Sequence, residues 1–371
     1  MKPLDGIKVI DLSTLLPGPL ATLILAEAGA EVIKVERMGG EDMRRSPPFI
    51  DGESILFAIL NRGKRSIELN IKSKEGYEKI TKLIKSADIV VDQFRPGVME
   101  RLGLDFKSLI EINPNIIHCS ITGYGQNGPK KLVAAHDLNY MAESGLLSLA
   151  KEKDGSPAMP NTQIADIAGG SYPAVINILL ALREVEKTGK GKFLDISMTD
   201  NLFPFMWMAL GLTANKFYSK GGDLQLTGAS PRYGIYETLD KGYIALGALE
   251  EKFWIRFCEV INLPNKLIND NINPNETKET IVKIIKNKNT KEWKDILANE
   301  QNICCSIVNS LEEAMQDSQI IERELLSAKM KLGNTEIFPM PTPLAPTWRP
   351  KKILANAPEL GEANSFYMEK L

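Results

Sequence analysis

One of the chain's two histidines lies next to an aspartate, and another aspartate opens a predicted helix further along. His136 and Asp137 stand in the segment 135–140, and Asp166 begins a helical pattern. An imidazole titrates near neutral pH, and a helix start can hold a carboxylate ionised. These residue types favour a site that removes a proton with one group and returns it with another. Taken alone, they also fit a structural core histidine and a helix-capping aspartate.

Alternating strand and helix patterns must position these groups. Strands are predicted at 7–12, 31–35, 66–69, 89–91, 116–121 and 193–197, and helices at 19–30, 73–86, 106–112 and 166–187. Such alternation is typical of a mostly parallel sheet covered by helices. Ligands of open α/β sheets bind beyond the carboxyl ends of the strands, so residues that follow strands are binding candidates. The predicted fold class is α/β, with a Rossmann-like large domain and a smaller α/β domain.

The pattern changes after about residue 200, where an apolar segment rich in Met and aromatic residues extends to 213. The runs 233–238 and 242–246 predict a hairpin that begins the smaller domain, followed by helical segments to about 301. Five prolines between Pro339 and Pro350 exclude a regular helix and predict an extended strap over another surface.

Composition excludes several classes of function. The chain has 45 basic and 47 acidic residues, so no global basic field indicates nucleic acid. The longest apolar run, around 175–182, is too short to span a bilayer, and we expect a soluble, cytoplasmic protein without a membrane partner. The four cysteines lack CxxC spacing, which predicts neither a zinc site nor a disulfide framework. The G-x-G-x-x-G match at 123–128 lacks the following helix that a dinucleotide site needs.

Many ordered segments resemble the family III CoA-transferases, the CaiB/BaiF superfamily, and most closely its α-methylacyl-CoA racemases. The likeness covers nearly the whole chain. Its segments are Leu4-Asp5-Gly6-Ile7-Lys8-Val9-Ile10-Asp11-Leu12-Ser13, Pro17-Gly18-Pro19, 31–37, Asn61-Arg62-Gly63-Lys64-Arg65-Ser66, Phe94-Arg95-Pro96-Gly97, Gly123-Tyr124-Gly125 and Gly242-Tyr243-Ile244-Ala245.

The resemblance assigns roles to three residues. Asp166 matches an aspartate that is a nucleophile in the transferases and an acid/base in the racemases. Ala135-His136-Asp137-Leu138-Asn139-Tyr140 resembles the Gly-His-Asp-Ile-Asn-Tyr segment that carries the racemase histidine, with departures at Ala135 and Leu138. Glu250, in Gly247-Ala248-Leu249-Glu250, matches the glutamate that orients this histidine. Inverting a carbon needs two proton-transfer groups, so His136 favours a racemase over a transferase.

The resemblance also implies a coenzyme A site and an assembly. The expected CoA-binding residues are Leu15, Leu16, Pro17, Arg37, Leu69, Ile71, Lys72, Gln93, Phe94, Arg95, Arg101, Asp137 and Tyr140. The expected assembly is an interlocked homodimer, with a large domain at 1–200 completed by a tail at 325–371, a linker at 201–224 and a small domain at 225–320. The partners are then an acyl-CoA and a second copy, with no cofactor beyond the coenzyme A of the substrate.

The racemase hypothesis has a definite mechanism. His136 or Asp166 removes the α-hydrogen of a 2-methylacyl-CoA, and the other group returns a proton to the opposite face of the enolate. Free backbone N–H groups at the helix start around Asp166 are expected to stabilise the enolate oxygen. A CoA-transferase that uses Asp166 as nucleophile and a catalytically idle CoA-binding protein remain the alternatives.

Overall fold

The computed structural model describes residues 1–152, 154–217, 225–350 and 355–368. The chain divides into two compact units. The first comprises 1–147, 159–210 and 318–371, and the second comprises 148–158 and 211–317. Each unit therefore contains segments that are distant in sequence.

Strands and helices alternate along the first unit, as predicted. Over the described residues the strands are β1 Lys8–Asp11, β2 Glu31–Glu36, β3 Phe49–Ile50, β4 Glu53–Ser54, β5 Arg65–Glu68, β6 Ile89–Asp92, β7 Ile117–Thr122, β8 Lys192–Ser197, β9 Tyr233–Glu237, β10 Tyr243–Gly247, β11 Cys305–Ile307, β12 Met330–Leu332 and β13 Thr335–Ile337. The α-helices are α1 Pro17–Glu27, α2 Ile55–Asn61, α3 Lys74–Lys85, α4 Val98–Arg101, α5 Phe106–Ile112, α6 Asp137–Ser144, α7 Tyr172–Thr188, α8 Trp207–Ala214, α9 Glu251–Val260, α10 Pro274–Ile285, α11 Thr290–Leu297, α12 Leu311–Met315, α13 Ser318–Glu322 and α14 Asn364–Met368.

Six parallel strands form the sheet of the first unit, in the order β5-β2-β1-β6-β7-β8. The chain builds outward from β1 to one edge and then returns to build from β6 to the other edge. This is the doubly wound order, in which β1 and β6 flank the topological switch point where ligands bind. The predicted α/β class with a parallel sheet is confirmed.

Both faces of this sheet are buried, which explains why its strands read as continuous apolar runs rather than alternating ones. On β1, Val9 joins a cluster packed by α1 and α7, and its neighbour Ile10 joins a cluster packed by α3 and α5. Successive side chains of a strand point to opposite faces, so each strand supplies both layers of the core.

The second unit contains the three-stranded sheet β11-β10-β9, whose pairs are antiparallel. The hairpin of β9 and β10 is the one that the sequence predicted. Helices α9, α10 and α11 cover one side, with Trp254 and Trp293 fully buried among apolar residues. The apolar spacing of the Asn- and Lys-rich region therefore marks packed helices.

Two connecting segments also bear on the sequence predictions. The proline-rich strap carries no regular helix, and it is held where the Arg62 guanidinium donates to the Met340 carbonyl at 2.7 Å. The expected linker, 201–224, is instead helical over Asp200–Met206 and Trp207–Ala214, and its residues 218–224 lie outside the described residues.

One helical stretch of the described residues, Ala165–Thr188, is long and apolar enough to cross a membrane by length and composition alone. It is longer than the apolar run that the sequence indicated. Ala174, Ile178 and Ala181 on this stretch are buried in the core of the first unit. Because core helices pass the same test, the stretch is weak evidence for a membrane span.

Candidate active site

A pocket of about 1080 Å³ opens at the carboxyl ends of the strands that flank the switch point. Its walls come from the residues that follow β1, β2, β5 and β6. Of the predicted CoA-binding residues, it brings together Arg37, Leu69, Ile71, Lys72, Phe94 and Arg101. Its volume lies near the upper end of the range for small-molecule sites.

The cations at this pocket differ in how far they are already paired. The Arg37 guanidinium binds Asp42 and donates to the Gly40 carbonyl at 3.0 Å. For Lys72 and Arg101, no described carboxylate lies within ion-pair distance. These two side chains can therefore hold an anionic ligand without first breaking an ion pair.

Lys74 and Tyr77 are among the lining residues that were not predicted from the sequence. They belong to the first turn of α3, which begins just beyond β5. The position of a helix start after a strand end was the signal that could have identified them.

Other predicted binding residues lie beside the pocket rather than in its wall. The Leu15 N–H donates to Glu41 Oε2 at 2.9 Å, and Gln93 Oε1 accepts the Gly18 N–H at 3.0 Å. Leu16 packs with apolar residues of α1 and α2. Arg95 lines a separate cavity of about 180 Å³, and its role in binding CoA stays a prediction.

Asp166 lies on a π-helical turn, Ala165–Ser171, that precedes α7. Such turns are rare and recur at functional sites. Glycines permit close packing here, since a Cβ on Gly169 would lie 2.4 Å from the Met198 carbonyl oxygen. The Ser171 hydroxyl donates to the Pro17 carbonyl at 2.8 Å. The turn is therefore bonded to the start of α1, which Gln93 also contacts.

Asp137 joins α6 to this turn, since its Oδ1 accepts the Asp166 N–H at 2.9 Å. Burial, and then the negative charge of Asp137, raises the pKa of Asp166 to about 7. Burial also raises the pKa of Asp137, and its hydrogen bonds from the Asp166 and Ala165 amides oppose that shift. Asp166 is thus a carboxyl group whose protonation changes near neutral pH.

His136 occupies the N-cap position of α6, next to Asp137. Its backbone N–H donates to Asn139 Oδ1 at 3.0 Å, and the Tyr140 hydroxyl donates to the Ala135 carbonyl at 2.8 Å. These bonds fix the backbone on both sides of the histidine, whose side chain is exposed. Burial, and then the charge of Asp166, raises the pKa of Tyr140 to about 12, so this hydroxyl remains a donor.

The expectation of free amides around Asp166 is wrong. The Asp166 N–H is bound by Asp137, and the Ile167 N–H donates to the Gln163 carbonyl at 3.1 Å. The free donors are instead at the start of α6, where the Asp137 and Leu138 N–H groups have no acceptor among the described residues. They occupy the first two helical positions, which an α-helix leaves without internal partners.

Glu250 belongs to the second unit, at the N-cap position of α9. Its carbonyl accepts the N–H groups of Phe253 and Trp254, each at 3.0 Å. These bonds place its backbone but assign no role to its carboxylate. The orientation of His136 by Glu250 stays a prediction.

A doubly wound sheet with a large pocket beyond its switch point places the first unit among the α/β folds that bind ligands at the carboxyl ends of their strands. The whole chain belongs to CoA-transferase family III, whose sequence profile matches residues 4–364. It is thus an enzyme of that family.

Relatives within the family have two kinds of activity. The chain is 33% identical to mouse succinyl-CoA:glutarate CoA-transferase, over 88% of this chain and 76% of that one. It is 32% identical to human α-methylacyl-CoA racemase, over 92% and 86% of the two chains. A crystal structure of a CaiB/BaiF family protein from Brucella suis matches with a TM-score of 0.82 at 26% identity, covering 100% of this chain and 99% of that one. Similar identities leave the reaction to be argued from the site.

Proposed function

We propose that the protein is an α-methylacyl-CoA racemase that inverts the α-carbon of a 2-methylacyl-CoA by transferring a proton between two groups. The observation that carries this proposal is the hydrogen bond that joins Asp166, a buried carboxyl group whose pKa is raised to about 7, to Asp137, the neighbour of His136. A carboxyl group with that pKa is present in both forms near neutral pH. It can act as base toward one enantiomer and as acid toward the other.

His136 is the second proton-transfer group. It adjoins Asp137, whose carboxylate binds the Asp166 backbone, so hydrogen bonds of Asp137 couple the two segments that carry the proposed acid and base. The bond that the His136 N–H donates to Asn139, and the one that the Tyr140 hydroxyl donates to the Ala135 carbonyl, hold the backbone on both sides of the histidine before substrate arrives. Preorganisation of this kind lowers the cost of reaching the reactive geometry.

The enolate oxygen requires hydrogen-bond donors. We assign this role to the Asp137 and Leu138 N–H groups at the start of α6. Well-placed backbone donors contribute about 3 kcal/mol each to stabilisation of a developing oxyanion. They replace the amides near Asp166 that the sequence suggested.

The pocket beyond the switch point would hold the coenzyme A portion of the substrate. Lys72 and Arg101 would bind its phosphates, and Leu69, Ile71 and Phe94 would provide apolar contacts. Proton transfer next to a thioester needs no cofactor beyond this coenzyme A, because the thioester itself delocalises the negative charge.

We further propose the interlocked homodimer, with Glu250 orienting His136. Ile176, Leu180, Phe205 and Trp207 support a partner surface, since all four side chains of the first unit are more than half exposed. A dimer mass in solution is expected, with Glu250→Gln lowering turnover more than affinity for free CoA. A monomer with full activity would contradict this assembly.

The competing proposal is CoA transfer between carboxylic acids, which the similarity to succinyl-CoA:glutarate CoA-transferase favours. In that reaction the Asp166 carboxylate attacks the thioester and expels CoA as a thiolate. Only the ionised form is nucleophilic, and a pKa of about 7 leaves Asp166 half protonated at neutral pH. Half of the Asp166 groups remain ionised, so the raised pKa permits this attack as well. What favours the racemase is His136, a second proton-transfer group for which CoA transfer has no use.

Deuterium exchange separates the two reactions. One enantiomer of a 2-methylacyl-CoA is incubated with the protein in D₂O, first without and then with a free dicarboxylic acid. The racemase incorporates deuterium and racemises the substrate without the acid. Absence of exchange, together with acid-dependent movement of CoA and a hydroxylamine-sensitive enzyme thioester, would establish the transferase instead.

A matched variant controls for general damage to the protein. Asp195 is also partly buried with a raised pKa, and it accepts the Gln126 N–H at 3.0 Å. Asp195→Asn is expected to retain exchange, whereas Asp166→Asn loses racemisation by about 100-fold or more. Equal losses in both variants would remove Asp166 from the proposed role.

A further inference from the structure

The chain's second histidine lies in a buried hydrogen-bonded pair that the proposed reaction does not use. His118 is on β7, and its Nε2 lies 2.7 Å from Oδ2 of Asp92, the last residue of β6. The side chains are 3% and 1% exposed, respectively. Burying these polar groups costs solvation free energy. The other contacts of the pair therefore indicate which part of the structure it positions.

The other oxygen of the Asp92 carboxylate binds the start of a loop. Oδ1 accepts the Phe94 N–H at 2.9 Å and the Ser120 hydroxyl at 3.3 Å. One carboxylate thus links two neighbouring strands to the backbone of a residue that lines the large pocket. Its orientation sets the direction in which the chain leaves β6.

The loop at 93–97 has cavities on two sides. Phe94 lines both the pocket of about 1080 Å³ and the cavity of about 180 Å³, and His118 lines the smaller one. Empty space on both sides deprives the loop of the close packing that usually fixes a backbone. Its hydrogen bonds, including the one between Gln93 and Gly18, must then determine its position.

The His118 ring depends on few contacts of its own. Its Nδ1 is buried and has no hydrogen-bond partner among the described residues, and the Phe193 ring lies 5.1 Å away, centroid to centroid. The bond to Asp92 is therefore the polar contact that orients the ring. Reciprocally, the ring holds one oxygen of Asp92, so that the other faces Phe94.

We propose that Asp92 and His118 are positioning residues for coenzyme A: their pair holds the Phe94 backbone so that its side chain forms a wall of the CoA pocket. This inference rests on the proposed function only in placing CoA in that pocket. It applies equally to a racemase and a transferase.

The test compares His118→Phe with His118→Gln in the full-length protein. The phenylalanine keeps a ring beside Phe193 but removes the donor, and the glutamine keeps a donor. Free CoA is titrated calorimetrically, and KM, kcat and the melting temperature are measured for each variant. His118→Phe is expected to weaken CoA binding about tenfold, because an unsatisfied buried carboxylate reorients. The loss should fall on KM with kcat little changed, and His118→Gln should restore most of the affinity.

Two results would overturn the proposal. Unchanged CoA affinity in His118→Phe, whatever its melting temperature, would show a purely structural pair. Equal loss in both variants would show that the donor to Asp92 is irrelevant. If His118→Phe does not fold, Ser120→Ala serves in its place, with an expected loss of about threefold; unchanged affinity there would also overturn it. A wild-type protein that does not bind CoA would refute the CoA site itself.

Discussion

Asp11 and Asp166 are two desolvated carboxyl groups of the same unit, and their pKa values move in opposite directions. Burial penalises both charges. At Asp11, the ammonium groups of Lys64 and Lys34 outweigh this penalty and lower the pKa well below its usual range. At Asp166, burial and the charge of Asp137 act together and raise the pKa to about 7. The partners, and not the burial, decide which carboxyl group is structural and which is reactive.

The surroundings of Asp11 form a closed network at the end of β1. Lys64 Nζ lies 3.0 Å from Asp11 Oδ2 and 2.7 Å from Thr22 Oγ1. A second pair, Lys34 and Glu41, lies beside it at 2.7 Å. Asp166 has no cation within ion-pair distance among the described residues. Without a cationic partner, the charged form of Asp166 is less stable than that of Asp11. Asp166 can therefore hold a proton near neutral pH and transfer it to a substrate.

The largest expected effect comes from breaking the paired region. Lys64→Met leaves Asp11 buried without its nearest cation and is expected to lower the free energy of unfolding by about 3–5 kcal/mol. Urea unfolding measures it. Lys79→Met is the control, since Lys79 pairs with Glu75 on the exposed surface of α3 and its loss should cost less than about 1 kcal/mol.

Equal, small losses of unfolding free energy in Lys64→Met and Lys79→Met would contradict the contrast drawn between Asp11 and Asp166. They would mean that the Asp11 network adapts to the missing charge, and that Asp11 and Asp166 do not differ in dependence on a partner.

Replacing Asp166 is expected to raise the free energy of unfolding, whereas replacing Lys64 lowers it. Its folded-state pKa of about 7 exceeds the ordinary value of 3.8, so the native state holds this proton more tightly than the unfolded state does. Stability from this group is present at low pH and is lost as the pH rises from about 4 through 7. Asp166→Asn carries no charge, so it should be more stable than the parent at pH 8 by up to about 4 kcal/mol, the equivalent of a pKa raised from 3.8 to about 7.

At pH 4 the stability difference between Asp166→Asn and the parent should nearly vanish. Thermal unfolding at both pH values measures it. A variant that is less stable at pH 8 than the parent would show that Asp166 is a paired, structural carboxylate like Asp11.

The smallest effect should follow from Asp137→Asn. The amide keeps an oxygen that accepts the Asp166 N–H but removes the neighbouring charge, the lesser of the two causes of the raised pKa. The acidic limb of the pH–rate profile should move to lower pH while remaining above the range of an ordinary aspartate. If the acidic limb of the profile does not move in Asp137→Asn, burial alone accounts for the raised pKa of Asp166.

The strands and helices around the parallel sheet could be predicted from the sequence. Each strand has its own run of apolar residues, and each helix has its own helical spacing of apolar residues. Val9 and Ile10 show why, since adjacent apolar residues of one strand serve opposite faces. The hydrogen bond from the Asp166 N–H to Asp137 joins residues that are 29 positions apart. No periodic pattern in the sequence indicates such a contact. For the same reason, the sequence could not reveal that the Asp166 amide is already bound.

The binding loop shows a second limit of the sequence. Arg37 and Arg95 both follow strands, and for that reason both were predicted to bind CoA. The chain turns after β6, so Phe94 lines the large pocket and Arg95 lines the smaller cavity. The direction of a turn depends on tertiary hydrogen bonds, here those of Asp92, which single-residue patterns do not encode.

The most direct test of the two-base account measures α-proton exchange of each enantiomer separately in His136→Ala. With Asp166 as the remaining group, one enantiomer should still exchange in D₂O while exchange of the other, and racemisation, fall by about 100-fold or more. Exchange of both enantiomers at the wild-type rate would contradict the account.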